Sequence, residues 1–103
     1  MSRLEKLAEM LEKSPDEPFL HFGLAMELVK AGLFQKALDS FGHALERDAG
    51  YVPAYYHKAN TLIALGRQEE ARKTLTAGIR AASASGNAHA QSEMQGLLDA
   101  IRS

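Results

Sequence analysis

The side chains in this 103-residue sequence best suited to metal or acid–base chemistry are its four histidines, His21, His43, His57 and His89. A zinc-binding helix sets two histidines four residues apart, so that both reach one ion. No such pair occurs, and no acidic residue is expected at metal-site spacing from a histidine. There is no cysteine, which removes disulfides, thiolate nucleophiles and cysteine-based zinc sites together. Nucleophile-elbow, phosphate-loop and dinucleotide fingerprints are missing as well. Asp16-Glu17 and Glu69-Glu70 stand near expected helix starts, where negative charge is favoured by the helix dipole without any catalytic role. The expectation is a non-enzymatic chain with no metal and no cofactor. His57, beside Tyr56, is a contact residue or a plain surface histidine.

Charge narrows the partners. Net charge is −1, so no global field draws the chain to nucleic acid or to an anionic membrane. Residues 1–51 carry 6 Lys+Arg against 9 Asp+Glu, and residues 52–103 carry 6 against 4. Arg67, Arg72, Lys73 and Arg80 give the second half a basic edge, but Glu69-Glu70 interrupts it and the tyrosines lie on another helix. Nucleic-acid binding would need a larger patch with aromatics for stacking, so a solvated face is expected. The start, MSRLEKLAEMLEK, lacks the apolar run of a signal peptide. Nothing approaches the roughly 20 apolar residues of a membrane span. A cytoplasmic location is expected, with no membrane partner.

The elements that position these residues come from a repeat. Tyr55, Ala59, Leu62, Ile63 and Leu65, then Ala71, Leu75, Gly78, Ile79 and Ala82, form apolar stripes at helical spacing around Gly66. Gly32, Ala37, Phe41, Ala44 and Leu45 precede Gly66, Ala71, Leu75, Gly78 and Ile79 by one constant interval of 34 residues. Recurrence of a helix pair at that period signals a stacked helical repeat. Ser2 to Glu5 fits a capping box opening a helix with Leu4, Leu7, Ala8 and Leu11 on one face. That helix falls in register with the second helix of a pair, with Arg3 where the full repeats have alanine. Ser14-Pro-Asp-Glu-Pro18 breaks the chain, and helices follow at about 18–31 and 34–48. Asn87 caps a last helix at about 88–102, whose face of Ala90, Met94, Leu97, Leu98 and Ile101 fits the repeat only when shifted by one residue. Ala25 is expected to face Ala37, and Ala59 to face Ala71, letting paired helices approach closely. The fold class is all-α, with about six helices in antiparallel pairs. One domain, 1–103, comprises an N-terminal half-repeat cap (2–14), repeats at 18–51 and 52–85, and a C-terminal cap helix (87–103).

His21, Leu24-Ala25, Leu28, Ala37, Phe41 and Ala44, followed by Tyr55, Ala59, Leu62, Ala71, Leu75 and Gly78, resemble the tetratricopeptide repeat pattern. His21 replaces the usual aromatic, Lys58 a leucine and Ala49 the closing proline. The resemblance implies a superhelical repeat whose first helices line a concave surface that binds a peptide or partner protein. By that geometry Phe19, Phe22, Met26 and Val29 face the groove, then Tyr56, His57, Asn60 and Ile63, with Gln91 and Gln95 following. Phe22, Met26 and Tyr56 would be anchors outside the inward stripe, and Asn60 would hold ligand backbone. Some relatives grip the acidic C-terminus of chaperones through Lys, Asn and Arg in the groove. Here Phe22 and Met26, or Tyr56 and Asn60, occupy the Lys and Asn positions, so that clamp is not expected. Two functions stand open: an adaptor for a protein or peptide segment, and a self-associating unit that forms a homodimer.

Overall fold

A computed structural model describes residues 2–102. Among them the regular elements are six helices: α1 (Arg3–Lys13), α2 (Pro18–Lys30), α3 (Phe34–Arg47), α4 (Val52–Ala64), α5 (Gln68–Ala84) and α6 (Ala88–Arg102). No described residue lies in a strand. The chain divides between Ala49 and Gly50 into two compact units.

The turns within each helix pair follow one design. Gly32 and Gly66 have φ of 76° and 75°, a left-handed conformation that costs a glycine nothing. Each lets the chain fold back so that the next amide reaches a carbonyl of the finished helix. Leu33 N–H donates to Leu28 O at 2.9 Å, and Arg67 N–H donates to Leu62 O at 2.8 Å. Asn87 N–H repeats the bond to Ala82 O, and the Asn87 side chain then accepts from Ala90 N–H at 3.0 Å, capping α6. At the other end Ser2 and Glu5 form the expected capping box on α1.

In the first unit α2 packs against both α1 and α3. Ala25 and Ala37 are fully buried, and Gly23 lets α1 settle with Leu7 Cδ2 3.3 Å from where a Cβ would be. Of the expected α1 stripe only Leu7 is buried; Leu4 and Leu11 are half-buried and Ala8 is exposed. Arg3 swings across to Glu27, with Nε 2.7 Å from the carboxylate. The 14–17 break is fastened by one carbonyl: Pro15 O accepts from His21 Nε2 and from Arg47 Nε, each at 2.7 Å. His21 is therefore a buried structural group with its proton on Nε2.

In the second unit α5 packs against α4 and α6, and the core is Val52, Ala59, Leu75, Ala82, Met94 and Leu98. Ala59 and Ala71 are both fully buried. A Cβ on Gly78 would stand 2.6 Å from Tyr55 Cβ and 2.5 Å from Met94 Sδ, so close approach of three helices depends on that glycine. Leu65, expected in the α4 stripe, is instead the C-cap and 38% exposed, because the turn at Gly66 has begun before it can face inward. No helix among the described residues is long and apolar enough to cross a membrane.

Candidate functional site

Two turns of α4 and the first two turns of α6 enclose a cleft of about 370 Å³. Val52 and Pro53 open α4 at its rim, proline being tolerated there because the first helical amides have no partner to lose. Tyr56 and His57 follow one turn on, and Met94 forms the floor. From α6 come His89, Ala90 and Glu93. The same turns of α4 and α6 meet, so these two helices run in the same direction with α5 returning between them.

The polar groups of the cleft are organised by contact. The Tyr56 and His57 rings stand edge to face at 89°, centroids 5.4 Å apart. His89 Nε2 lies 3.3 Å from Glu93 Oε1, one helical turn away. Burial lowers the His57 pKa from its ordinary 6.5, and the negative charge of Glu93 partly opposes that shift. At neutral pH His57 is thus an uncharged ring, able to donate or accept a hydrogen bond beside an aromatic and an apolar floor. A concave, partly apolar site with a few convergent polar groups and a perturbed histidine receives a ligand side chain well. The described residues contain no group of three or more His, Asp or Glu placed to hold a metal ion.

The residues expected to form one groove fall into three settings. On α2, Phe19 is 53% exposed and faces the α1 side, lining an apolar hollow of about 290 Å³ with Leu7, Met10 and Leu20. Phe22, Met26 and Val29 are half-buried. The Phe22 ring lies 6.0 Å from that of Phe41, which is fully buried, so Phe22 supports the core as well as the surface. On α4, Tyr56 and His57 share the cleft, and Tyr56 also packs on the core. Asn60 and Ile63 are half-buried further along the helix and do not line that cleft. On α6, Gln91 and Gln95 line a separate shallow hollow with Ser92, Gly96 and Asp99; Gln95 Nε2 donates to Asp99 at 3.0 Å. Two expectations are corrected. Phe22 and Tyr56 are not clear of the packed interior. Acidic residues do stand one helical turn from two histidines, Glu46 from His43 and Glu93 from His89.

The tetratricopeptide repeat model matches residues 28–98 of the chain. The chain belongs to the tetratricopeptide repeat family. A tetratricopeptide repeat domain protein from Salinibacter ruber, solved in solution, is 32% identical over 84% of this chain and 88% of its own, with a TM-score of 0.80. A Bordetella parapertussis protein is 27% identical over 99% and 89%, with a TM-score of 0.85. The TPR2B domain of yeast Sti1, solved as its pHsp70 complex, is 25% identical over 96% and 79%, with a TM-score of 0.90. Among curated proteins none matches the sequence. Within this repeat architecture the cleft lies between α4 and α6, two helices on which the family resemblance placed partner contacts.

Proposed function

We propose that this tetratricopeptide repeat chain is a non-catalytic protein-interaction module that takes a segment of a partner protein, with the α4–α6 cleft as its anchor pocket. The observation that carries the reading is the meeting of Tyr56, His57 and Glu93 over the Met94 floor. An amphipathic aromatic there supplies contact area at low entropic cost, and the histidine and carboxylate orient the ligand. The Sti1 relative, solved in complex with pHsp70, supports the same use of the fold. We read residues 1–103 as one repeat domain with a cap helix at each end, placed in the cytoplasm. In the second unit Asn60, Ile63, Gln91 and Gln95 are further contact residues beside the cleft, and in the first unit Phe19, Phe22, Met26 and Val29 are contact residues of α2.

Selection of binders from a random peptide library tests this. Wild-type protein should return a convergent motif, and Tyr56→Ala should not return it. The same motif recovered by both proteins would remove the cleft from the account.

One observation favours a second reading, self-association through the N-terminal cap. Met10 and Phe19 are 47% and 53% exposed around the same apolar hollow. Sedimentation velocity at micromolar concentration separates the two: a monomer leaves the adaptor reading, and a dimer dissociated by Phe19→Glu establishes the second.

A further inference from the structure

On a different face of the second unit, α5 and the last turn of α6 form a hollow of about 440 Å³. Arg72, Lys73 and Arg80 line it from α5 and Arg102 from α6, with Glu69 as the single acidic residue among the side chains facing it. Positions 72, 76 and 80 lie on one face of α5 by the four-residue helical repeat. Thr76 and Ala77 give the hollow a small-residue floor, and the Thr76 hydroxyl already donates to Arg72 O at 2.9 Å.

The arginines of the chain divide cleanly. Arg3, Arg47, Arg67 and Arg72 are each ion-paired, to Glu27, Asp16 and Glu46, Glu70, and Glu69 respectively. Arg80 and Arg102 have no ion pair or hydrogen bond to any described residue, and both converge on this hollow. Gathering like charges from two helices raises the local potential, and an anion entering the hollow relieves it. Arginine is suited to that task because its planar fork engages a carboxylate through two parallel bonds.

We propose that this hollow is a second docking site, separate from the α4–α6 cleft, for an acidic, carboxylate-rich segment of a partner protein. The chemistry favours carboxylates over nucleic acid. No aromatic side chain lines the hollow for base stacking, and Glu69 in its wall interrupts a phosphate track. The basic edge read from the sequence is thereby redrawn. Arg67 is held by Glu70 outside the hollow, and Arg102, distant in sequence, takes its place.

Fluorescence anisotropy with a labelled octaglutamate peptide tests the site on the full chain. At about 0.01 M ionic strength binding should saturate, and at about 1 M, where the screening length is about 3 Å, it should vanish. Arg80→Gln with Arg102→Gln should weaken it at least about tenfold, the effect of losing one to two charge-assisted bonds. Both residues are exposed, so circular dichroism should match wild type. Lys58→Gln, on α4 and outside the hollow, and Tyr56→Ala, in the cleft, should leave octaglutamate binding unchanged. Because of that last control, failure of the hollow and failure of the cleft are distinguishable. Absence of saturable binding, an equal loss in Lys58→Gln, tighter binding of an oligothymidylate of equal charge, or a wild-type dimer that Arg80→Gln dissociates would each overturn the proposal.

Discussion

The His57 ring meets Tyr56 edge-on, 5.4 Å between centroids, in a cleft where burial holds the histidine below its ordinary pKa. The sign of the linkage follows from that direction. Above about pH 6.5 folded and unfolded chains both carry neutral His57, and its contribution to stability is fully present. As pH falls from there through the folded value, the unfolded chain takes the proton first, and that contribution is lost. Thermal melts between pH 7.5 and 5 should therefore fall more steeply for wild type than for His57→Gln. Parallel profiles would contradict this. Protonation of His57 should also weaken ligands that use it as an acceptor.

Gly78 supports the site from behind, because its missing side chain lets Tyr55 and Met94 close on α5. Gly78→Ala gains about 1 kcal/mol of helix propensity. The contact with Tyr55 Cβ, which is fixed to the backbone, forces α4 away and costs about 1–3 kcal/mol. The expected net result is a destabilisation of up to about 2 kcal/mol, read from the urea midpoint. Gly96→Ala is the control: it sits in α6 with nothing within 4 Å of a new Cβ, and should be neutral or stabilising. Equal responses at the two glycines would show that the close approach at Gly78 is unimportant.

His21 is expected to be structural. His21→Phe keeps the ring volume and restores the aromatic of the family pattern, but removes the donor to Pro15 O. With Arg47 still reaching that carbonyl, the loss should be about 0.5–1.5 kcal/mol. Chemical denaturation at pH 7.5 measures it, and an unchanged midpoint would mean that the Pro15 bond contributes nothing.

Much of the fold was legible because it is encoded locally. Left-handed glycines at Gly32 and Gly66, a capping box at Ser2 and an Asn87 cap act within a few residues, and the interval between Gly32 and Gly66 exposes the repeat. The full burial of Ala25, Ala37, Ala59 and Ala71 was legible for the same reason: small residues permit close helix contact. The site was less so. A rotation of one residue along α6 decides whether Ala90 and Glu93 or Gln91 and Gln95 meet the cleft, and sequence periodicity does not fix a terminal helix that tightly. The His21 bond ends on a backbone carbonyl, and the Arg102 contribution arrives from the far end of the chain. Neither has a sequence pattern. Phe22 looked like pure surface because its contact with Phe41 is a matter of ring reach, not of stripe membership.

Calorimetric titration of a library-selected peptide into wild type, Tyr56→Ala and His57→Ala bears most directly on the central claim. Each variant is measured at a temperature where circular dichroism shows it fully folded, since Tyr56 also packs on the core. Wild type should bind with a micromolar Kd, and Tyr56→Ala should weaken it about 5–30-fold, the equivalent of about 1–2 kcal/mol for an interface hot spot. His57→Ala should weaken it less, and less still at pH 5.5. An unchanged Kd in folded Tyr56→Ala would contradict the assignment of the α4–α6 cleft as the anchor of this interaction module.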